Sequence, residues 1–382
     1  MGNRISLKYL MGLGLLNTAY SMYVVISRPL YGNDVYGEWF VFYLVSAEYT
    51  PALFSFIVGG LSDVYGRRRV LWLSLLGSLL LWHLFTVENW VLKILAVAGY
   101  AFSHNLAVTI ALSSVLEDRV NVGRNYSWAG LASGAGWGVG STIAWPLLLN
   151  TPVETFAYIV SATYALGVVL VAAGYGGKSR DSAGGLKTGF AETLRRVKWI
   201  TPLMLASYIG LAVGGAFNSL LMDEKIRQLR IVLNEGADGR YLYGFFYGGL
   251  PVLLGTPVRP LIGRLIDKGY AKEALAAALT MYLTLFTILP FTPPLLFIIL
   301  WLIPVYPLYD TSLYSIISWK TERFEASATG FTASVTSLAG ISILVLNTVL
   351  KIERVEFYLA LTISMFTLSI TYLLKTRGQL NR

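Results

Sequence analysis

Gly59-Gly60-Leu61-Ser62-Asp63-Val64-Tyr65-Gly66-Arg67-Arg68-Arg69-Val70-Leu71 stands between two apolar runs, one ending at Val58 and the next opening at Val70. Three adjacent arginines are very costly in hydrocarbon, so the stretch reads as a tight polar hairpin joining two membrane helices. Each residue type has a mechanical reason for its place. Glycines let helix ends approach closely, the aspartate can cap or pair near a helix end, and the arginines hold the turn in the cytosol.

The rest of the chain agrees. Of 382 residues, 55% are hydrophobic and only 13% charged, with a mean hydropathy of +0.60. Soluble domains average about a quarter charged, so this chain is built for lipid. The absence of cysteine removes disulfides, thiolate metal sites and cysteine nucleophiles together. Two histidines and no HExxH leave a zinc enzyme without ligands. Gly177-Lys178-Ser179 imitates the end of a phosphate loop, but Ala172 stands where the leading glycine is needed. No enzyme, metal or cofactor is therefore expected. Met1 to Ser6 fits the myristoylation pattern, which adds little to a chain already held by helices. The first apolar run, to Ile26, lacks a small-residue cleavage site and reads as a retained span.

A span needs about 20 apolar residues. On that ruler twelve segments qualify: residues 9–26, 36–58, 70–85, 91–116, 128–149 and 153–174, then 201–221, 241–262, 271–289, 294–318, 328–350 and 355–374. The expected division is a six-helix bundle over 1–174, a linker over 175–199 rich in Gly, Ser and basic residues, and a second six-helix bundle over 200–382. With the termini and linker on one side, that side carries 21 Lys and Arg against eight on the other, Arg259 falling within the eighth span. The bias places both termini in the cytoplasm. The net charge of +9 is then topological rather than a nucleic-acid footprint. Gly263-Arg264-Leu265-Ile266-Asp267-Lys268-Gly269 echoes Gly59 to Gly66 at an offset of 204, one residue shorter, and Thr329-Gly330 echoes Ala129-Gly130 at 200. Two echoes in register argue for a duplicated unit.

The hairpin resembles the signature that joins spans two and three of the major facilitator superfamily of transporters. Gly59, Leu61, Asp63, Gly66, Arg67, Arg68 and Leu71 fit it, while Val64 stands where the family often has arginine. Glu117, Arg124 and Gly130 resemble a second family pattern, with Glu in place of the usual Asp. Two family marks are missing: Leu95 rather than an arginine precedes Gly99, and the fifth span has no Gly-Pro. The resemblance implies an all-α fold of twelve transmembrane helices in two pseudo-symmetric halves. It also implies that Gly59, Asp63, Gly66, Arg67 and Arg68, with their echo Gly263 and Asp267, make contacts that break as the halves rock.

Among the 21 acidic residues, only Glu48 and Asp310 lie well inside a span. Such a carboxylate is costly unless paired, protonated or facing water. Glu48, 15 residues before Asp63, belongs near mid-bilayer. It is either a proton carrier or a hydrogen bond between helices, to His104 or a tyrosine. Asp310 has the same status in a segment that Pro304 and Pro307 should bend. His104 is the third proton-coupling candidate, and its commoner role is a packed, hydrogen-bonded histidine. Asn17, Tyr20, Tyr23, Asn105 and Tyr306 are candidates to line a central cavity. Arg28, beside Pro29, is most simply an interfacial anchor. The charged loop Met222 to Gly239 reads as a solvated extension of span seven rather than a gate.

The expectation is a multi-pass, monomeric, lipid-embedded protein of the cell membrane, with a small-molecule substrate and no nucleic acid. It moves its solute by alternating access coupled to protons. Efflux antiport and uptake symport both fit, and a non-transporting sensor or scaffold with the same fold is the rival class. Because the chain has no cysteine, topology can be tested cleanly. Ser182→Cys in the linker should react with an impermeant thiol reagent only after the membrane is opened; labelling of intact cells would overturn the orientation.

Overall fold

The computed structural model describes residues 6–27, 30–31, 35–36, 38–117, 121–175, 186–233, 242–321, 324–348 and 355–376. Arg28, Ser182 and the stretch 234–241 of the charged loop lie outside the described residues.

Each of the expected apolar segments is helical where described. Span one is Leu7–Ser27. Span two runs through Glu38–Tyr49, a tighter turn at Thr50–Phe54 where Pro51 interrupts the α-helix, and Ser55–Tyr65. Span three is Arg67–Thr86 and span four Trp90–Val115, whose N-terminus is capped by Asn89 accepting from the Val91 and Leu92 amides. Spans five and six are Val122–Asn150 and Val153–Gly174. Spans eight and nine share the stretch Gly244–Phe291, turning at Gly269. Span ten, Pro294–Lys320, breaks between Trp301 and Tyr306, where Pro304 sits, and resumes with Pro307 in the first turn of its second part. Spans eleven and twelve are Glu325–Thr348 and Val355–Lys375.

Span seven, Thr201–Leu233, is one continuous helix that carries the first part of the charged loop, as its apolar stripe predicts. A linker helix, Leu186–Val197, enters it through a 75° bend. Glu192 on that helix accepts hydrogen bonds from Arg195 at 2.8 Å and Arg196 at 2.5 Å.

Among the described residues, seven helical stretches are long and apolar enough to cross a bilayer, and the bent pair leading into span seven makes eight. With eight and nine sharing one stretch, the spans left out are two, five and eleven. These three are rich in Gly, Ser and Thr or broken by polar residues. They also form the seams between the two halves, where small residues matter more than apolar bulk.

The apolar core is divided in the same way. One buried cluster runs from Tyr9 to Ala172 and a second from Val197 to Leu373. Within the first, span one is wedged against spans five and six through glycines. A Cβ placed on Gly136 would come within 1.9 Å of the Gly14 carbonyl oxygen, and one on Gly12 within 2.5 Å of the Val171 nitrogen. Thr18 crosses the same contact, its Oγ1 donating to the Gly136 carbonyl at 3.0 Å.

Backbone contact of this kind leaves no space for a methyl group, whereas Gly215 has nothing within 4 Å of the same position. Gly136→Ala should therefore lower thermal stability by about 1–3 kcal/mol through overpacking. Gly215→Ala should be neutral or stabilising by up to about 1 kcal/mol from helix propensity. Unfolding midpoints in one detergent decide between them.

Candidate functional site

At the hairpin, Gly66 has φ = 93°, which lets the chain reverse between spans two and three without a Cβ clash. The reversal sets Arg67 over Asp63. Asp63 Oδ1 accepts from Arg67 Nη2 at 2.7 Å and Nε at 3.1 Å. The other carboxylate oxygen crosses to the second half, accepting from the backbone N–H of Ser327 at 3.1 Å and its hydroxyl at 2.9 Å. A negative charge thus caps the N-terminal turn of span eleven, where exposed amides and the helix dipole favour it. Arg67 also pairs with Glu117, at the end of span four, and with Glu325 at 3.2 Å, on the first turn of span eleven. Gly59 permits this closeness, since a Cβ there would lie 2.2 Å from the Ala326 carbonyl oxygen. Arg68 is exposed.

The echo is a second copy of the device. Asp267 accepts from the backbone N–H groups of Gly123 at 2.7 Å and Arg124 at 2.9 Å, capping span five. Gly263 lies backbone to backbone with Gly123, and Gly269 makes the reversal at φ = 97°. Each half therefore uses its aspartate to hold a helix N-terminus of the other. Ser318 Oγ on span ten, donating to the Leu116 carbonyl at 3.0 Å, adds a further tie at this end.

Away from the hairpins, a cavity of about 190 Å³ lies between spans one, two and four of the first half and ten and eleven of the second. Glu48, His104, Asn105, Tyr20 and Tyr314 are in its wall. Glu48 is 5% exposed and accepts from the Tyr23 hydroxyl at 2.8 Å. His104 stacks on Tyr20, ring centroids 4.3 Å apart, and its Nδ1 is buried without a hydrogen bond among the described residues. The two functional readings of Glu48 thus meet in one place: it bonds a tyrosine of a neighbouring helix and it faces a cavity.

One turn along span ten from Tyr314, Asp310 faces Arg259 of span eight, Oδ2 to Nη2 at 3.8 Å. Arg259 is 5% exposed and lies over the Tyr306 ring at 4.8 Å. Its guanidinium rests on Gly130, where a Cβ would be 2.2 Å from Nη1.

The structure brings Glu48, His104, Asn105 and Tyr20 together and seats Tyr23 against Glu48. It places the remaining candidates elsewhere. Asn17 is not in this wall, and its side-chain NH2 donates one turn back, to the Leu13 carbonyl at 2.9 Å. Tyr306 is drawn to Arg259 instead. Arg259 is the buried charge that the candidate residues of the sequence left out. An arginine inside a span was signal enough, because such a charge is kept only where a partner or function holds it.

A chamber between two halves of a membrane bundle, with Glu48, His104 and Asn105 in its wall and paired charged hairpins across one end, is the architecture of a solute transporter. Sequence comparison agrees: the profile of the Major Facilitator Superfamily matches residues 8–344, and the chain belongs to that family. A search of curated protein sequences finds no match. Among solved structures, the crystal structure of the human organic anion transporter MFSD10 (TETRAN) is similar over 98% of each chain, with a TM-score of 0.70 and 16% identity. At that identity the likeness shows a shared fold.

Asp63→Asn keeps the shape of the hairpin but removes the capping charge, worth about 0.3–2 kcal/mol at a helix end. The protein should insert and fold nearly normally while the hairpin end loosens. Cysteines at Leu116 and Ser318 should cross-link readily in the parent, and several-fold less in the Asp63→Asn background. Equal yields would show that the cap does not hold this end together.

Proposed function

We propose that the protein is a proton-coupled secondary transporter. It carries a small solute through the cavity between its halves by alternating access, as a monomer in the cell membrane with both termini cytoplasmic. The observation that supports this reading most directly is Glu48 in the cavity wall. A carboxylate this deep in a bilayer costs several kcal/mol unless it is paired, protonated or wet. Beside a cavity it can gain a proton in one conformation and lose it in another.

The hairpins supply the second half of the cycle. With Asp63 and Asp267 on the helix ends of the opposite half, the cytoplasmic side is held together and the cavity serves the other face. Releasing those caps lets the halves rock about the seams of spans two with eleven and five with eight. A balance of a few kcal/mol between the two arrangements is within reach of solute binding and protonation.

Glu48→Gln fixes the neutral form while keeping an acceptor for Tyr23. In proteoliposomes, accumulation driven by a pH gradient should disappear, while exchange of solute for solute persists because it requires no net deprotonation. A panel of sugars, organic anions and cationic drugs, with and without the gradient, supplies the solute. Gradient-driven flux in the variant equal to the parent's, normalised to folded protein, would remove Glu48 from coupling. Absence of flux in the parent for every solute class would favour a sensor with this fold.

A further inference from the structure

The two seams between the halves are built on one plan, and Arg259 breaks it. At the offset of 204 that relates Gly59 to Gly263, the counterpart of Arg259 is Ser55. In the seam of spans two and eleven, Gly330 packs on Ser55 backbone to backbone, a Cβ there reaching within 2.1 Å of the Ser55 carbonyl oxygen. In the seam of spans five and eight, Gly130, the counterpart of Gly330, meets the guanidinium of Arg259. The first seam shows that a serine suffices to pack this position. The arginine is therefore surplus to the architecture.

Its surroundings do not use it up. Among the described residues Arg259 Nε is buried without a partner, and the rest of the guanidinium lies against the Tyr306 side chain. Its one ionic contact, Asp310 at 3.8 Å, is longer than the charge-assisted hydrogen bonds that close arginine–carboxylate pairs form. The side chains differ in access, 6% exposed for Arg259 against 34% for Asp310. Four residues on from Asp310, on the same face of span ten, Tyr314 lines the cavity. Tyr314 also stacks on Tyr126 of span five at 4.9 Å.

We infer that Arg259, one helical turn beyond the cavity wall at Tyr314, binds the acidic group of the transported solute and that Asp310 is its built-in competitor. The solute then carries a carboxylate, phosphonate or similar acidic group. This rests on the transport reading and gives it a substrate class. A planar guanidinium with its Nε donor unspent can take such a group in two parallel hydrogen bonds, a geometry that the present contact with Asp310 does not reach. Asp310 balances the buried charge otherwise. The solute's acidic group takes its place at Arg259 and leaves the more exposed Asp310 to turn toward the cavity.

The test uses the full-length protein in phosphatidylcholine nanodiscs without any gradient, so it does not depend on coupling through Glu48. Benzoate, acetate and methylphosphonate are the anionic probes, benzamide is the neutral counterpart, and the readout is the shift in unfolding midpoint with probe concentration. The anions should stabilise the parent and benzamide should not. Asp310→Asn should tighten anion binding about tenfold, as removal of a competing ion pair predicts. Arg259→Gln should abolish the response. If that variant does not fold, Arg259→Gln with Asp310→Asn leaves no unpaired buried charge and should fold without responding to anions.

Equal stabilisation by benzamide, no shift with any of the three anions, an anion response that survives loss of Arg259, or weaker binding in Asp310→Asn would each overturn the inference. Stabilisation by phosphatidylglycerol in place of these probes, dependent on Arg259, would overturn it in favour of a lipid-headgroup site. Anion stabilisation without a gradient reads this inference alone and gradient-driven flux reads the transport reading, so either can fail while the other holds.

Discussion

The structure depends on a carboxylate held against the exposed amides of a helix that belongs to the other half of the molecule. Asp63 does this for span eleven and Asp267 for span five. In lipid, helices gain little from pressing apolar surfaces together, because the surrounding chains are as apolar as they are. What draws the halves together has to be close packing and satisfied polarity. The glycines supply the first: Gly59, Gly263 and Gly330 bring backbone against backbone. The aspartates supply the second, at the one level where helix ends leave donors unspent. Arg67 then joins Asp63, Glu117 and Glu325, so that spans two, three, four and eleven meet on a single side chain.

The two copies of this device are not equal. The first has a largely covered arginine bridging three carboxylates. The second has an aspartate bonded to two backbone amides, one turn earlier on its target helix. Duplication supplied the frame and each half was then modified separately, by Arg67 at one hairpin and by Arg259 in one seam. Both departures place a charge where the other half manages without one. Such places separate function from architecture, because the sister half shows what the architecture alone requires.

Much of the fold was legible in the sequence because membrane insertion is a one-dimensional problem. Run lengths, three adjacent arginines and the offset of Asp267 from Asp63 are enough to lay out the helices and the repeat. The cavity was legible in part. Glu48 and His104 stand out as polar residues in apolar runs, and the structure places both in one wall. What sequence could not give was pairing. The contact of Arg67 with Glu325 spans 258 positions, and that of Arg259 with Asp310 joins helices whose order along the chain says nothing of their faces. Asn17 shows a different limit. A helical asparagine can satisfy itself on the carbonyl four residues back, and no spacing reveals when it does so.

Span seven carries its own consequence. Its 33 residues make a rod of about 50 Å, some 20 Å longer than the hydrocarbon it crosses. Ile226 is buried, yet Ile231 only five residues on is 80% exposed, so the rod leaves the packed bundle near its end. An unbroken helix is stiff over this length. A small tilt of the second half within the bilayer is thereby magnified into a larger sweep of the helix tip in water. The protein carries a pointer, fixed at one end among the packed helices of the second half, whose far end amplifies how the halves stand against one another.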